Sequence, residues 1–434
     1  MKGAAFHGLQ DLRRSGRLRG TPMSTVQIAA IIVSLTALLA YVNARFIKLP
    51  SQIGLLAMAL VASLVVVALD AAGVIDAGHL RSVVAQADLG PTLLHGMLGF
   101  LLFAGALHIR IDELVAQRWP VLVLSLAGTL ISTVLVGATI YGVLVTLGHA
   151  IGVLDAMLFG ALISPTDPIA VLGVLKRSKV PPTLAVQISG ESLFNDGIGV
   201  VVCTVLLAIG AGDHVSGGDV VLLFLREAVG GAAFGLGLGL LGERLLRTID
   251  EHTVEVLVTL ALVLGGYVAA ETIHVSAPIG AVVAGIVIGN RSPRGEGHHL
   301  ELWDVIDEIL NAVLFLLIGL EATRLRLSFE VAIAAVISVP VVLGARLISV
   351  GASYAALRMA LPQLRTVSSH AVVILTWGGL RGGLSVALAL SLPPGAVRDT
   401  IVLMTYAVVA FAILVQGLTL SRLLRRLGLA DEAP

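Results

Sequence analysis

The sequence predicts an all-α polytopic membrane protein of about thirteen transmembrane helices, each crossing needing roughly 20 helical residues. Three observations lead there. The 434 residues are 57% hydrophobic before the 48 glycines are counted. Only 13% are charged, about half of the roughly 25% usual in soluble domains. The apolar runs are continuous and rich in Ala, Gly and Leu, without the period-two alternation of a barrel, so the class is a helical bundle.

In order, the apolar segments fall at 26–43, 53–69, 92–107, 119–147, 154–175, 182–210, 220–247, 254–274, 276–290, 303–322, 329–357, 368–393 and 398–424. The shortest are 92–107 and 276–290, and the longest must tilt or extend beyond the bilayer. Lys and Arg in alternate loops give the orientation. Sixteen lie on the side of the C-terminus: Arg45, Lys48, Arg110, Arg118, Lys176, Arg177, Lys179, Arg244, Arg247, Arg291, Arg294, Arg358, Arg365, Arg422, Arg425 and Arg426. Arg81, Arg324, Arg326 and Arg398 lie on the other. The C-terminus, with its short tail 425–434, is therefore expected in the cytoplasm of a cell (inner) membrane and the N-terminus outside. The basic tail 1–25 conflicts with this, because Lys2, Arg13, Arg14, Arg17 and Arg19 would have to be translocated and no apolar signal-peptide core is present. Synthesis beginning at Met23, with the tail a start-site artefact, resolves the conflict; a genuine outside tail is the alternative.

The 28 basic and 28 acidic residues cancel, which removes any basic surface for nucleic acid. Cys203 stands alone, so the chain can build neither a disulfide framework nor a thiolate metal site within itself. Paired-His metal spacing, a Gly-x-Ser-x-Gly elbow and a nucleotide-binding loop are all missing from the sequence, so a cofactor is not expected and a primary pump is disfavoured.

Two aspartates lie where a spanning chain should have none, and ionisable groups at bilayer depth usually mark an ion pathway, a relay or a counter-charge. Asp167 sits within Ser164-Pro165-Thr166-Asp167-Pro168, in the fifth segment. Pro168 removes an amide donor and disfavours helical geometry at Asp167, so the helix should break there, with Asp167 able to cap a second half-helix. The twelfth segment is interrupted by Gly378-Gly379-Leu380-Arg381-Gly382-Gly383. Two breaks at corresponding places suggest inverted repeats, segments 1–6 matching 8–13 around a seventh, with four half-helix ends meeting at mid-membrane. Asp167 can then offset the positive helix ends and Arg381 the negative ones. A simple proline kink and unbroken glycine packing are the plainer alternatives.

In the sixth segment, Ser192 and Asp196 are four apart and share a helical face, while Asn195 points about 100° away. Ser192 and Asp196 can present oxygens to one small hard cation, joined by backbone oxygens from the break at Thr166. A structural counter-ion role for Asp196 is the alternative. Glu191 is better read as half of a buried ion pair, with Arg346 as the best-placed partner, since an unpaired charge there would be very costly.

Ser164-Pro165-Thr166-Asp167-Pro168, Gly190-Glu191-Ser192-Leu193-Phe194-Asn195-Asp196 and Gly379-Leu380-Arg381-Gly382-Gly383, with the weaker Phe315-Leu316-Leu317-Ile318-Gly319-Leu320, resemble in order and spacing the NhaP-type sodium/proton antiporters of the cation:proton antiporter-1 family. The resemblance spans nearly all of the chain after residue 25. It implies a homodimer with a dimerisation side at 26–107 and 254–322, a moving core at 119–210 and 329–424 in which helices 5 and 12 cross, and a linker helix at 220–247. It implies Asp196 as the carboxylate that binds Na⁺ or H⁺, Ser192 and Thr166 as further oxygens to Na⁺, and Asp167 as a water-holding or crossing-stabilising group. Asn195, Glu191, Arg346 and Arg381 would support the site. Many family members carry a glutamate in a Phe-Glu-Gly context in the third helix; Phe103-Ala104-Gly105 here leaves the cation one carboxylate short.

The expected function is secondary, electroneutral antiport of Na⁺ against H⁺ for pH and sodium homeostasis, since a buried carboxylate can hold either ligand. A K⁺/H⁺ antiporter, another broken-helix carrier of small organic ions and an intramembrane aspartyl protease are the rivals, and Li⁺ and K⁺ are the alternatives to Na⁺ as the cation. The proline bracketing, Arg381 and the two breaks favour transport over proteolysis.

Overall fold

The structure, a computed structural model, describes residues 24–76, 78, 81, 84, 96–149, 151–168, 171, 172, 175, 178, 180–211, 217–249, 251–291, 298–324, 329–360 and 369–429. The basic tail 1–22, residues 92–95 and the loop cations Lys176, Arg177, Lys179, Arg294, Arg326 and Arg365 lie outside the described residues.

Each apolar segment forms helix where it is described, interrupted at 164–168 in the fifth and at 378–382 in the twelfth. In chain order the helices are α1 (Thr25–Val42), α2 (Ser51–Ala71), α3 (Leu98–Leu107), α4 (Arg118–Thr146, through a π stretch at Val123–Gly128), α5 (Val153–Ile163), α6 (Pro182–Gly210) and α7 (Gly217–Leu246). They continue as α8 (His252–Thr272), α9 (Ala277–Arg291), α10 (His298–Glu321), α11 (Phe329–Ala360), α12 (Ser369–Trp377), α13 (Gly383–Ser391) and α14 (Ala396–Arg426, with a π stretch at Ala412–Gln416). Eight of these, namely α1 with the π turn that follows it, α2, α4, α6, α7, α8, α11 and α14, are long and apolar enough to cross a membrane. α3, α5 and α9 are shorter, and α10 is long but carries Glu301, Asp304, Asp307 and Glu308 in its first half. Among the described residues there is no strand, only one isolated bridge, between Asp167 and Leu380.

Local chemistry sets the helix ends. α1 opens with a capping box: the Gln27 amide donates to Ser24 Oγ at 3.3 Å and the Ser24 amide to Gln27 Oε1 at 2.9 Å. A chain that turns at left-handed Lys48 and passes through Pro50 starts α2. Pro181 precedes Pro182 at the first position of α6, where the missing amide costs nothing.

Packing falls into two neighbourhoods. α9 lies against α3 and α7, and α10 against α2, while α4 packs on α5 and α11, and α11 on α14. Without a hydrophobic drive between helices in lipid, close approach of small residues supplies the contact. A Cβ at Gly289 of α9 would lie 2.1 Å from the Leu107 carbonyl oxygen of α3, and one at Gly160 of α5 would lie 2.3 Å from that of Thr133 in α4. α6 touches both neighbourhoods, meeting α5 and α4 on one side and α7, α9 and α3 on the other. Its residues 191–196 therefore lie inside the protein.

Candidate functional site

Both predicted interruptions are present. α5 ends at Ile163, residues 164–168 are not helical, and the Leu172 amide reaches the Pro168 carbonyl at 2.8 Å as the chain coils again. α12 ends at Trp377 and α13 starts at Gly383. The gaps meet: the Asp167 amide donates to the Leu380 carbonyl at 2.8 Å.

Non-helical backbone at this depth survives only when its polar groups are satisfied inside the protein. Arg381 Nη1 donates to the carbonyls of Ser164 (2.6 Å) and Pro165 (3.0 Å), placing a cation at the carboxyl end of α5. Gln416 Nε2 donates to the Trp377 carbonyl at 2.9 Å, covering the end of α12. Asn195 Oδ1 accepts from the Thr166 amide at 3.2 Å. Asp167 lies at the amino end of α13, where a Cβ on Gly382 would be 2.5 Å from its Oδ2, so only glycine admits the carboxylate there. The carboxyl end of α5 thus meets a cation and the amino end of α13 an anion, the charges that suit their dipoles, while the carboxyl end of α12 is met by a neutral amide.

Around Thr166 the sequence-predicted residues converge. Its Oγ1 lies 2.9 Å from Ser192 Oγ and accepts from Asn195 Nδ2 at 2.9 Å. Asn195, expected on another face from Ser192, also reaches the break, because the extended chain of residues 164–168 runs across both faces of α6. Ser192, Asn195 and Thr166 are all buried, whereas Asp196 and Asp167 are partly buried. Asp167 and Arg381 are the charged groups that act on Asp196. Among the described residues, no three His, Cys, Asp or Glu side chains come together as a metal site. The oxygens available to a cation at this point are carboxylate, hydroxyl and carbonyl.

One turn earlier on α6, Glu191 (1% exposed) is held bidentately by Arg346 of α11 (4% exposed), Nη1 to Oε1 and Nη2 to Oε2, the latter at 3.0 Å. Arg346 Nη2 also donates to the Leu375 carbonyl of α12 at 3.3 Å. The pair thus ties α6 to α11 and to the first half of the interrupted twelfth segment. Below it, Tyr354 Oη donates to Gln187 Oε1 at 2.5 Å and Gln187 Nε2 to Gln117 Oε1 at 2.7 Å. Ala104 is buried in α3, and its carbonyl lies 3.1 Å from His108 Nδ1.

Sequence reasoning passed over Asp307 and Asn311 of α10. Asn311 Nδ2 donates to Asp307 Oδ1 at 3.0 Å, and Asp167 is among the charges acting on Asp307. The signal was available, since Asp307 is an ionisable residue inside an apolar stretch. Gln416 and the Gln187 network carried none, because glutamines in long helices have no spacing that announces a partner.

A family model described as sodium/hydrogen exchanger, transmembrane, matches residues 33–426. The chain belongs to the sodium/hydrogen exchanger family. That is a family of secondary transporters, not enzymes. Among its relatives, this exchanger is 45% identical over 410 residues to the Na⁺/H⁺ antiporter NhaP of Pseudomonas aeruginosa, covering 93% of this chain and 97% of that one. It is 36% identical to the Na⁺/H⁺ antiporter NhaH of Halobacillus dabanensis, over 93% and 96% of the two chains. Its fold matches that of the sodium proton antiporter MjNhaP1 from Methanocaldococcus jannaschii with a TM-score of 0.72 at 20% identity, covering 93% and 98% of the chains.

Proposed function

We propose that this exchanger carries out Na⁺/H⁺ antiport across the cell membrane, with Asp196 as the group that alternately holds the two ions. One observation carries the reading: the Asp196 carboxylate lies one turn from Ser192 on α6 and within the electrostatic reach of Asp167 and Arg381 of the two interruptions, where the buried Ser192 and Thr166 hydroxyls meet, in a chain whose relatives are named Na⁺/H⁺ antiporters. Interrupted helices of this kind serve ion sites in transporters because half-helix ends and freed carbonyls supply fixed partial charges. Na⁺ would be bound by Asp196 with oxygens from Ser192 and Thr166. Asp167 and Arg381 would neutralise the helix ends, with Asn195 holding Thr166 in place. Glu191 and Arg346 would be structural.

Asn195 occupies the position beside Asp196, so one carboxylate exchanges one proton for one cation and the cycle is electroneutral. We further propose that 26–107 and 254–322 form the dimerisation side of a homodimer, and that 119–210 and 329–424 move against it, with 220–247 as linker. The two packing neighbourhoods support this division. The C-terminus would be cytoplasmic and the N-terminus outside, as the loop cations favour.

Exchange by proteoliposomes, followed as a pH change on adding Na⁺, Li⁺ or K⁺ in parallel, tests the function and its selectivity. A Na⁺-driven signal that disappears in Asp196→Asn is expected. A response to K⁺ alone would replace the cation, and no response to any of the three would end the antiport reading.

A further inference from the structure

Asp307 belongs to no part of the crossing described above, yet it faces it. Residues 307, 311 and 314 fall on one face of α10. Leu314 of that face packs against α13 at its start, since a Cβ on Gly383 would lie 2.4 Å from its Cδ2. The neighbouring Gly382 is the residue that meets Asp167. Asp307 and Asn311 thus lie on the same stripe of α10, two turns and one turn respectively from the crossing, towards the His298 end.

Two features distinguish this stripe from an ordinary polar helix face. Asn311 is 2% exposed, and while its Nδ2 is engaged with the Asp307 carboxylate (3.0 Å) and carbonyl (2.9 Å), its buried Oδ1 has no hydrogen-bond partner among the described residues. That acceptor sits on the same carbon as the nitrogen that touches Asp307, so an amide oxygen and a carboxylate belong to one hydrogen-bonded unit. An unpaired buried acceptor is costly and calls for a donor or a cation. The second feature is an ordered series of acids: Asp307 interacts electrostatically with Asp167, and Asp167 with Asp196. All three are partly buried, while Thr166, Ser192, Asn195 and Asn311 around them are buried. His108 pairs with Asp304 at 3.0 Å, one turn further out. His108 and Asp304 are the other charged groups that act on Asp307.

We infer that Asp307 and Asn311 form a recruiting site for the transported cation, a pair of oxygen donors that binds it in passage between the His298 end of α10 and the crossing. The inference rests on the antiport reading and adds a residue to it. Oxygen donors of one carboxylate and one amide suit a monovalent hard cation held weakly, and weak holding is what a passage site requires. Asp307 would act by raising the local concentration of cation, not by exchanging it.

The test is the Na⁺ dependence of exchange in proteoliposomes for wild type, Asp307→Asn and Asp307→Glu, at low and high choline chloride. In Asp307→Asn the KM for Na⁺ should rise about fivefold at low ionic strength, as expected for losing a unit charge a few ångströms from the ion's path through water. The change in KM should exceed any change in maximal rate. It should shrink at high ionic strength as screening removes the attraction, and Asp307→Glu should restore the low KM. An unchanged KM, or a lower maximal rate with KM intact, overturns the inference. The wild type supplies an arm that needs no variant: its own KM should climb with choline chloride, and a KM indifferent to ionic strength overturns the inference equally. Absence of Na⁺-driven exchange in the wild type would sink the antiport reading itself, and is thereby told apart.

Discussion

Asp167 and Leu380 are joined by a backbone hydrogen bond of 2.8 Å, the one bridge among the described residues and one of the points at which the two interrupted segments touch. The Asp167 carboxylate is aimed at the residue two beyond Leu380, where the next helix is about to begin. Backbone and side chain of one residue therefore both serve the opposite break.

That arrangement makes Gly382 sensitive to a single added methyl. Its Cβ would lie 2.5 Å from Asp167 Oδ2 and 2.7 Å from Asp167 Cβ. Gly382→Ala should cost about 1–3 kcal/mol through overpacking and depress exchange. Gly344, in α11, has nothing within 4 Å of its Cβ position. Gly344→Ala should be neutral or stabilising by up to about 1 kcal/mol from helix propensity. Thermal melts of the detergent-purified protein compare the two, and equal melting temperatures would contradict the packing described.

Removing one partner of the Glu191–Arg346 pair strands the other charge in a dry interior, which typically costs about 3–5 kcal/mol. Glu191→Gln should lower the melting temperature or expression sharply. Replacing both residues by Gln should cost less than the sum of the single changes, because neither charge is then left alone. A stable Glu191→Gln protein with only altered Na⁺ affinity would show that Glu191 belongs to the ion's path.

If one carboxylate exchanges one proton for one cation, the transport rate is indifferent to membrane potential, which otherwise contributes about 2.3 kcal/mol per charge per 100 mV. Imposing a potassium-valinomycin potential on proteoliposomes should leave Na⁺-driven pH change unaltered, provided that the protein does not itself carry K⁺. Asp196→Asn should abolish exchange while the protein still folds, since an amide cannot bind and release a proton near neutral pH. A rate that scales with potential would require a second charge to move.

A tag on the C-terminus should be reached by reagent only after permeabilisation, in keeping with the sixteen loop cations on its side against four on the other. A chain begun at Met23 should insert and transport as the full chain does. Labelling of the tag in intact cells would reverse the orientation, and loss of insertion from Met23 would give the basic tail a role.

How far the sequence carries depends on whether a residue announces its own need. Pro165 and Pro168 announce a break because proline lacks an amide, and the run Gly378 to Gly383 announces weak helix; both interruptions are present. Glu191 and Arg346 announce a contact because each is an ion in an apolar run, and they meet. Arg381 announced a cation fit to offset a carboxyl helix end, and it does so at the Ser164 and Pro165 carbonyls. Which of the ends it meets depends on the crossing geometry, which no local pattern encodes. Asn195 was assigned by helical angle to a face away from Ser192, and the angle holds; what it could not convey is that the irregular strand of residues 164–168 lies over both faces.

The Arg381 cap also has a consequence for biosynthesis. Ser164 and Arg381 are 217 positions apart, and at 5–20 residues per second roughly 10 to 40 seconds separate their emergence from the ribosome. Throughout that interval the Ser164 and Pro165 carbonyls are without the Arg381 donor that covers them in the folded chain, and hydrocarbon penalises uncovered carbonyls heavily. The early half of the chain cannot reach its final state until the late half arrives. A nascent chain halted after α6 would display an open, polar notch to the insertion machinery and to membrane proteases, so the bond that closes the crossing also certifies that translation has run past residue 381.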